Sequence, residues 1–222
     1  EALRPSAFQR LHENQRSSGS EAFISLSAWD QCVDHDLRPL LPTKDVPLYV
    51  GVDASVRHDS SAAVCVIHDQ EENKVMLVRH RIWQPTQSDP LDIDKSIGNF
   101  LRELHSHYHL ASIYFDPYMM HDLATRLIAD GLPMHEFAQS SGNLTAMGSH
   151  LFDLIRGRNL TVYPDDQIRQ HVGHCVAVQT SRGWRIAKEK SRHKIDAAIS
   201  LAMACWASMQ EQSQPFGVIA AF

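Results

Sequence analysis

The chain has 222 residues, 43% of them hydrophobic and 21% charged, which fits one globular domain with an appended segment and excludes disordered, collagen-like and coiled-coil classes. A formal net charge of −5 with 14 histidines argues against a surface coated in cationic charge and leaves room for a local basic face. The longest strongly apolar stretch, Ile195 to Met209, contains Asp196 and is too short to span a bilayer, so no transmembrane helix is predicted.

The chain opens on Glu1 with neither a methionine nor a basic-then-apolar leader, which predicts a fragment of a longer protein and not a secreted precursor. Leu3 to Gln15 has weak helical periodicity, Arg16 to Ser20 reads as a flexible turn, and Ala22 to Trp29 as a short extended or irregular piece. Pro39, Pro42 and Pro47 then punctuate the approach to the first strand, Leu48 to Val52, which ends at Asp53. Ala62 to His68 and Lys74 to Trp83 predict two more strands across the polar turn Asp69 to Asn73. Ile93 to Tyr108 carries a helical apolar stripe, and Ser112 to Phe115 is a strand stopping at Asp116-Pro117. Met119 to Ala129 predicts a helix closed by Gly131, Leu132 to Phe137 a strand, and Asn143 to Arg156 another amphipathic helix. Ala177 to Ala187 splits around Ser181-Arg182-Gly183 into a hairpin, and Ile195 to Met209 forms the last helix. Three strands joined by tight turns, then strand-helix alternation, imply an α/β fold: a mixed β-sheet flanked by helices, with the apolar first strand at its centre. Cys32, Cys65, Cys175 and Cys205 are far apart with no C-x-x-C pair, which predicts reduced, buried thiols.

Three aspartates stand at element ends. Asp53 closes the first strand, Asp116 closes the fourth, and Asp196 opens the last helix. If the first and fourth strands are parallel neighbours, Asp53 and Asp116 emerge side by side beyond the carboxyl ends of the sheet, where ligands of open α/β sheets lie. Carboxylates gathered there repel one another, and a hard divalent cation with oxygen ligands, Mg²⁺ or Mn²⁺, relieves that repulsion. Each acid also has a plain structural reading, Asp196 as a helix cap and Asp116 as a turn residue.

The ordered pattern Gly51-Val52-Asp53-Ala54-Ser55 with Asp59-Ser60-Ser61-Ala62, then Tyr114-Phe115-Asp116-Pro117, then Lys188 ahead of Lys194-Ile195-Asp196-Ala197-Ala198, resembles the nuclease domain of phage large terminase subunits. That domain is the ribonuclease-H-like endonuclease half of the viral DNA-packaging motor, and the resemblance runs from about Leu48 to Met209. It implies a ribonuclease-H-like mixed sheet with an additional β-hairpin before the C-terminal helix, in a nuclease domain spanning 48–222. Segment 1–47, with Phe8-Gln9-Arg10 and Trp29-Asp30, is similar to the linker and remnant that follow an upstream ATPase domain. This chain itself has no G-x-x-x-x-G-K-[ST].

The activity implied is metal-dependent endonucleolytic cleavage of double-stranded viral DNA during genome packaging. The catalytic acids fall on Asp53, Asp116 and Asp196, and Asp59 occupies the kind of position from which relatives place a second metal. Many relatives carry glutamate where this chain has Asp116, a change that alters reach and keeps the ligand type. Phosphodiester hydrolysis needs in-line attack by water and neutralisation of the leaving oxygen, which two Mg²⁺ or Mn²⁺ ions about 3.5–4 Å apart provide. Asp53 is expected to bridge both ions, Asp116 to hold one, and Asp196 with Asp59 the other. The implied partners are double-stranded DNA, the upstream ATPase domain of the full-length chain, the small terminase subunit and the portal, with no membrane, in the host cell cytoplasm.

Arg182, Arg185, Lys188, Lys190, Arg192 and Lys194 face only Glu189 in the run leading to Asp196. They are expected to meet backbone phosphates, Lys188 above all, the alternative being a solvated surface hairpin. Trp184 either presses on DNA or packs the hairpin. His105, His107 and His109, and His171 with His174, have no zinc spacing and read as solvated helix ends, with His193 a surface histidine facing phosphate. A sugar-kinase or actin-like ATPase would need a glycine-rich loop where Val56-Arg57-His58-Asp59 stands. A Holliday-junction resolvase or transposase would use the same acids, and a catalytically silent docking module of the packaging motor would use none.

Overall fold

The computed structural model describes residues 22–55, 60–86, 88–180, 183–190 and 192–210. Its sheet is organised around β1 (Pro47–Asp53), whose five middle residues are all buried. β1 runs antiparallel to β2 (Ser61–Asp69) on one side and parallel to β4 (His109–Phe115) on the other. β3 (Lys74–Trp83) continues antiparallel from β2, while β5 (Met134–Glu136) and β6 (Leu160–Thr161) add parallel edges to β4 and β3. Among the described residues the sheet therefore has six strands in the order β5-β4-β1-β2-β3-β6. A separate antiparallel pair, β7 (Cys175–Thr180) and β8 (Gly183–Lys188), forms the expected hairpin before the last helix.

Helices cover both faces, and the strand period of two sorts side chains between them. Leu48, Val50 and Val52 of β1, with Ala63 and Cys65 of β2, join a core with α2 (Asn99–His107) and α3 (Pro117–Ala129). A single π-helical turn, Asp94–Gly98, leads into α2. Tyr49, Val64, Val66 and Leu77 face the opposite core, built on α4 (Ser141–Arg156), α5 (Asp166–Gly173) and α6 (Asp196–Gln210). Twelve of the 15 residues of α6 are buried, the mark of a helix apolar on all sides and enclosed by the fold. Its small residues let its backbone lie directly on β1: a Cβ placed on Gly51 would meet the Ser200 carbonyl at 2.0 Å.

The end of α3 is legible in its glycine. Gly131 adopts φ +88°, its N–H reaches the Ile128 carbonyl, and the Leu132 N–H reaches the Leu127 carbonyl, a Schellman closure that turns the chain into β5. Elsewhere the structure departs from expectation. Ala22 to Trp29, expected as a short extended or irregular piece, is extended at its start, where Ala22 bridges antiparallel to Val176, but Leu26–Asp30 forms a short helix, α1, capped by Ser25. Phe23 and Trp29, at 0% and 1% exposure, lie inside the α6-side core. β6 and α5 also stand where no element is expected from the sequence. The helix expected over Leu3 to Gln15 lies outside the described residues. All four cysteines are buried and none forms a disulfide. Among the described residues no helix is long and apolar enough to cross a membrane.

Candidate metal and nucleic-acid site

The register of the two parallel central strands sets the first two acids. Val52 pairs with Phe115, so Asp53 and Asp116 follow at the carboxyl ends of neighbouring strands. Asp116 also serves as the N-cap of α3. Its backbone is extended (φ −74°, ψ 119°), its Oδ1 accepts the Tyr118 N–H at 3.1 Å, and Pro117 takes the first helical position. Asp196 is the first residue of α6, 6% exposed, and its Oδ2 accepts a hydrogen bond from Ser60 Oγ. The alternative reading of Asp196 as the helix cap is not met, because Ile195 holds that place and Asp196 is the first helical residue.

α6 is pinned where β1 and β2 begin to separate. The Asp53 N–H donates to Ser200 Oγ at 3.1 Å, and Ser200 Oγ donates to the Ala62 carbonyl at 3.0 Å. The same helix receives a contact at its start, where the Ala197 N–H donates to His171 Nδ1 at 3.1 Å. Ser61 closes the ends of the β1–β2 connection by accepting from the Ser55 N–H and donating to the Ser55 carbonyl, both at 2.8 Å.

Asp53, Asp116 and Asp196 line one cavity of about 530 Å³. Arg185 and Lys188 of β8 form part of its wall, and Tyr118 and Met119 from the first turn of α3 stand at its rim. Tyr118 is 87% exposed, an unusual position for a large aromatic side chain. The three acids share the cavity without converging on a point: among the described residues no three His, Cys, Asp or Glu side chains form a group that could hold a metal ion. Like charges at short range repel; the Tyr118 amide donates to Asp116 and the Ser60 hydroxyl to Asp196. The donor type is nevertheless uniform, carboxylate oxygen throughout, which suits a divalent cation.

The basic run divides. Arg185 and Lys188 reach the cavity, whereas Lys190, Arg192 and Lys194 lie in the connection to α6 and are not among its lining residues. Asp59 and Arg182 lie outside the described residues. Trp184 packs the hairpin: it is 3% exposed, with its ring 5.6 Å from Phe23 and 5.8 Å from Phe152.

One histidine expectation needs correction. His171 is not a solvated helix end but a buried side chain, 3% exposed. Burial, followed by the neighbouring His174, lowers it to about 4, so the ring is neutral at physiological pH and Nδ1 can accept. His193 is only partly exposed and stacks on His174 with ring centroids 4.1 Å apart. Burial also pushes the Cys175 thiol up, and the nearby Asp196 carboxylate pushes it further. The sequence assigns no role to Ser60, Ser200 or Tyr118, and it reads His171 only as a solvated helix end. Only Ser60, directly after Asp59, stood beside a residue the sequence had marked.

The fold has solved counterparts. The large terminase of bacteriophage HK97 superposes with a TM-score of 0.69 at 20% identity over 89% of this chain and 46% of that one, so this chain spans about half its length. The large terminase nuclease of the thermophilic phage G20c, solved with bound magnesium, gives 0.63 at 17% identity over 86% and 98%. The nuclease domain of the Thermus phage P74-26 large terminase gives 0.61 at 18% over 83% and 94%. At these identities the likeness is one of fold, the ribonuclease-H-like sheet expected above. No curated protein matches the sequence significantly. Residues 66–212, more than half of the chain and including Asp116 and Asp196, match the family model for the endonuclease domain of the terminase large subunit, and the chain belongs to that family.

Proposed function

We propose that this chain is a metal-dependent endonuclease that cleaves double-stranded viral DNA during genome packaging. The observation that carries this reading is the single cavity onto which Asp53, Asp116 and Asp196 open beside Arg185 and Lys188. The G20c nuclease, solved with bound magnesium and with bound cobalt, supports divalent metal use in this fold. Here Asp53, Asp116 and Asp196, with Asp59, would hold two Mg²⁺ or Mn²⁺ ions. Such ions would supply charge stabilisation for the attacking and leaving oxygens of a phosphodiester hydrolysis.

The remaining tasks fall to the chain's own groups. Arg185 offers a planar fork to a phosphate and Lys188 a compact charge, so together they can seat the backbone against the acidic wall. Asp116 caps α3 through Oδ1, so ligation through Oδ2 would leave the helix cap intact. Tyr118 presents an aromatic face at the rim, where it can limit how the duplex enters. Segment 1–47, whose Phe23 and Trp29 pack into the α6-side core of this domain, would follow an upstream ATPase, and the small terminase subunit and portal would be its partners in the host cytoplasm.

Supercoiled plasmid titrated with Mn²⁺ tests the reading. The wild-type chain should nick and then linearise it, and Asp53→Asn should not, while melting within a few degrees of wild type. Plasmid left intact by the wild type at every metal concentration would favour a silent docking module. Strong preference for a four-way junction over plain duplex would favour a resolvase.

A further inference from the structure

We infer that Ser60 and His171 are positioning residues for Asp196, one acting on its carboxylate and the other on its helix; the inference rests on the metal-site reading of Asp196 given above. The N-cap place of α6 falls to an apolar residue. Ile195 holds the N-cap place, since its carbonyl accepts from Ala198 at 2.8 Å and Ile199 at 3.0 Å. An isoleucine side chain offers no acceptor to the orphan amides of a first helical turn. His171, in the last turn of α5, supplies one from elsewhere in the chain by accepting the Ala197 N–H on Nδ1. At 3% exposure that bond is shielded from water. The carbonyl of the same residue accepts from Cys175 Sγ at 3.3 Å, which ties the end of α5 to the start of β7. A ring accepting through Nδ1 must carry its proton on Nε2, so the contact selects one tautomer.

Ser60 acts from the sheet side. It is 1% exposed and donates Oγ to Asp196 Oδ2. Its neighbour Ser61 is locked to both backbone polar groups of Ser55, so the donor stands on an anchored stretch of chain. Helix termini fray, and an acid at the first helical position moves with them. The two contacts oppose that motion at different atoms. His171 fixes the amide next to Asp196, and Ser60 fixes its carboxylate oxygen.

The test measures Mn²⁺ binding by the paramagnetic resonance signal of the free ion, together with Mn²⁺-dependent plasmid nicking. The proteins are wild type, Ser60→Ala, His171→Leu, His171→Asn and Asp196→Asn. Groups that orient a ligand are typically worth about 10–100-fold in metal affinity or activity. Ser60→Ala and His171→Leu should therefore weaken Mn²⁺ binding about tenfold and lower kcat, with KM for plasmid nearly unchanged because the Arg185–Lys188 wall is untouched. His171→Asn keeps an acceptor oxygen and should return to within roughly threefold of wild type. Wild-type Mn²⁺ affinity in Ser60→Ala and His171→Leu, even with lowered melting temperatures, overturns the inference while leaving the nuclease reading in place. Equal impairment of His171→Asn and His171→Leu overturns the part assigned to His171. Unchanged Mn²⁺ binding by Asp196→Asn overturns both the inference and the metal reading beneath it.

Discussion

Gly51→Ala tests whether the crossing of α6 over β1 holds the candidate site together. The added Cβ would lie 2.0 Å from the Ser200 carbonyl oxygen, 2.7 Å from the Ala204 nitrogen and 2.9 Å from Met203 Cβ. Favourable contacts begin near 3.5 Å, and the two nearest atoms are helix backbone, which cannot step aside as a side-chain tip would. α6 must retreat by an ångström or more. That retreat strains both Ser200 bonds, the one from the Asp53 amide and the one to the Ala62 carbonyl. Overpacking costs about 1–3 kcal/mol and each lost hydrogen bond about 1 kcal/mol, so the expected loss is about 3–5 kcal/mol. That is a large fraction of the roughly 5–15 kcal/mol available to a folded domain. At about 2–4 °C per kcal/mol for a domain of this size, the midpoint should fall by roughly 10 °C. Circular dichroism during thermal and urea unfolding measures it. A loss below about 1 kcal/mol, the typical cost of an ordinary point substitution, would refute the claim that helix backbone sits against this glycine.

Asp53→Asn should abolish Mn²⁺-dependent nicking with little change in melting temperature, and normal cutting by this variant would end its assignment as a ligand. Arg185→Ala and Lys188→Ala should each weaken DNA binding and reduce the slope of log affinity against log salt by about one, read by fluorescence anisotropy at several ionic strengths. An unchanged slope would mean that they do not touch phosphate. Tyr118→Ala should leave stability within about 0.5 kcal/mol, because the ring is 87% exposed, and should raise KM for DNA if the ring meets the duplex. His171 stands at about 4 when folded against an ordinary 6.5, held down by burial and by His174, His80 and Lys194 and opposed by Asp165. The unfolded chain therefore takes up the proton first as pH falls. Stability should decline between about pH 6.5 and 4, by at most about 3 kcal/mol from this residue, and His171→Asn should show a shallower decline in paired urea titrations.

Elements whose cause is local could be read from the sequence. β1 and β4 announce themselves as apolar runs broken by an acid, and Gly131 marks the only way a right-handed helix ends in that turn geometry at low cost. Elements whose cause is remote could not. Leu26–Asp30 is far below the length at which a helix is stable alone, and it stands because Ala28 and Trp29 are buried. β6 is two residues long and exists because β3 leaves an edge to pair with. The site follows the same division. Asp53, Asp116 and Asp196 are visible as acids at element ends, whereas His171 meets the Ala197 amide through packing of α5 on the start of α6, a contact between positions 26 residues apart. Nothing in the spacing of histidines foretells a backbone partner.

The plain and the functional readings of these acids are less opposed than the sequence suggests. Capping explains why an aspartate stands at the start of α3, and it uses one carboxylate oxygen. It does not explain why that aspartate shares a cavity with Asp53 and Asp196 and with two cationic side chains. The three acids are carried by different bodies. Asp116 begins a helix that belongs to one core, Asp196 begins a helix that belongs to the other, and Asp53 ends the strand that separates them. Their sharing of one cavity therefore depends on both faces of the sheet being packed at once. A cavity of that origin cannot form in a partly folded chain, so any chemistry it supports is confined to the folded state. The Ser200 bonds and the Gly51 crossing are where the α6 face is locked to the strand. They thus couple the energetics of the core to the spacing of the carboxylates.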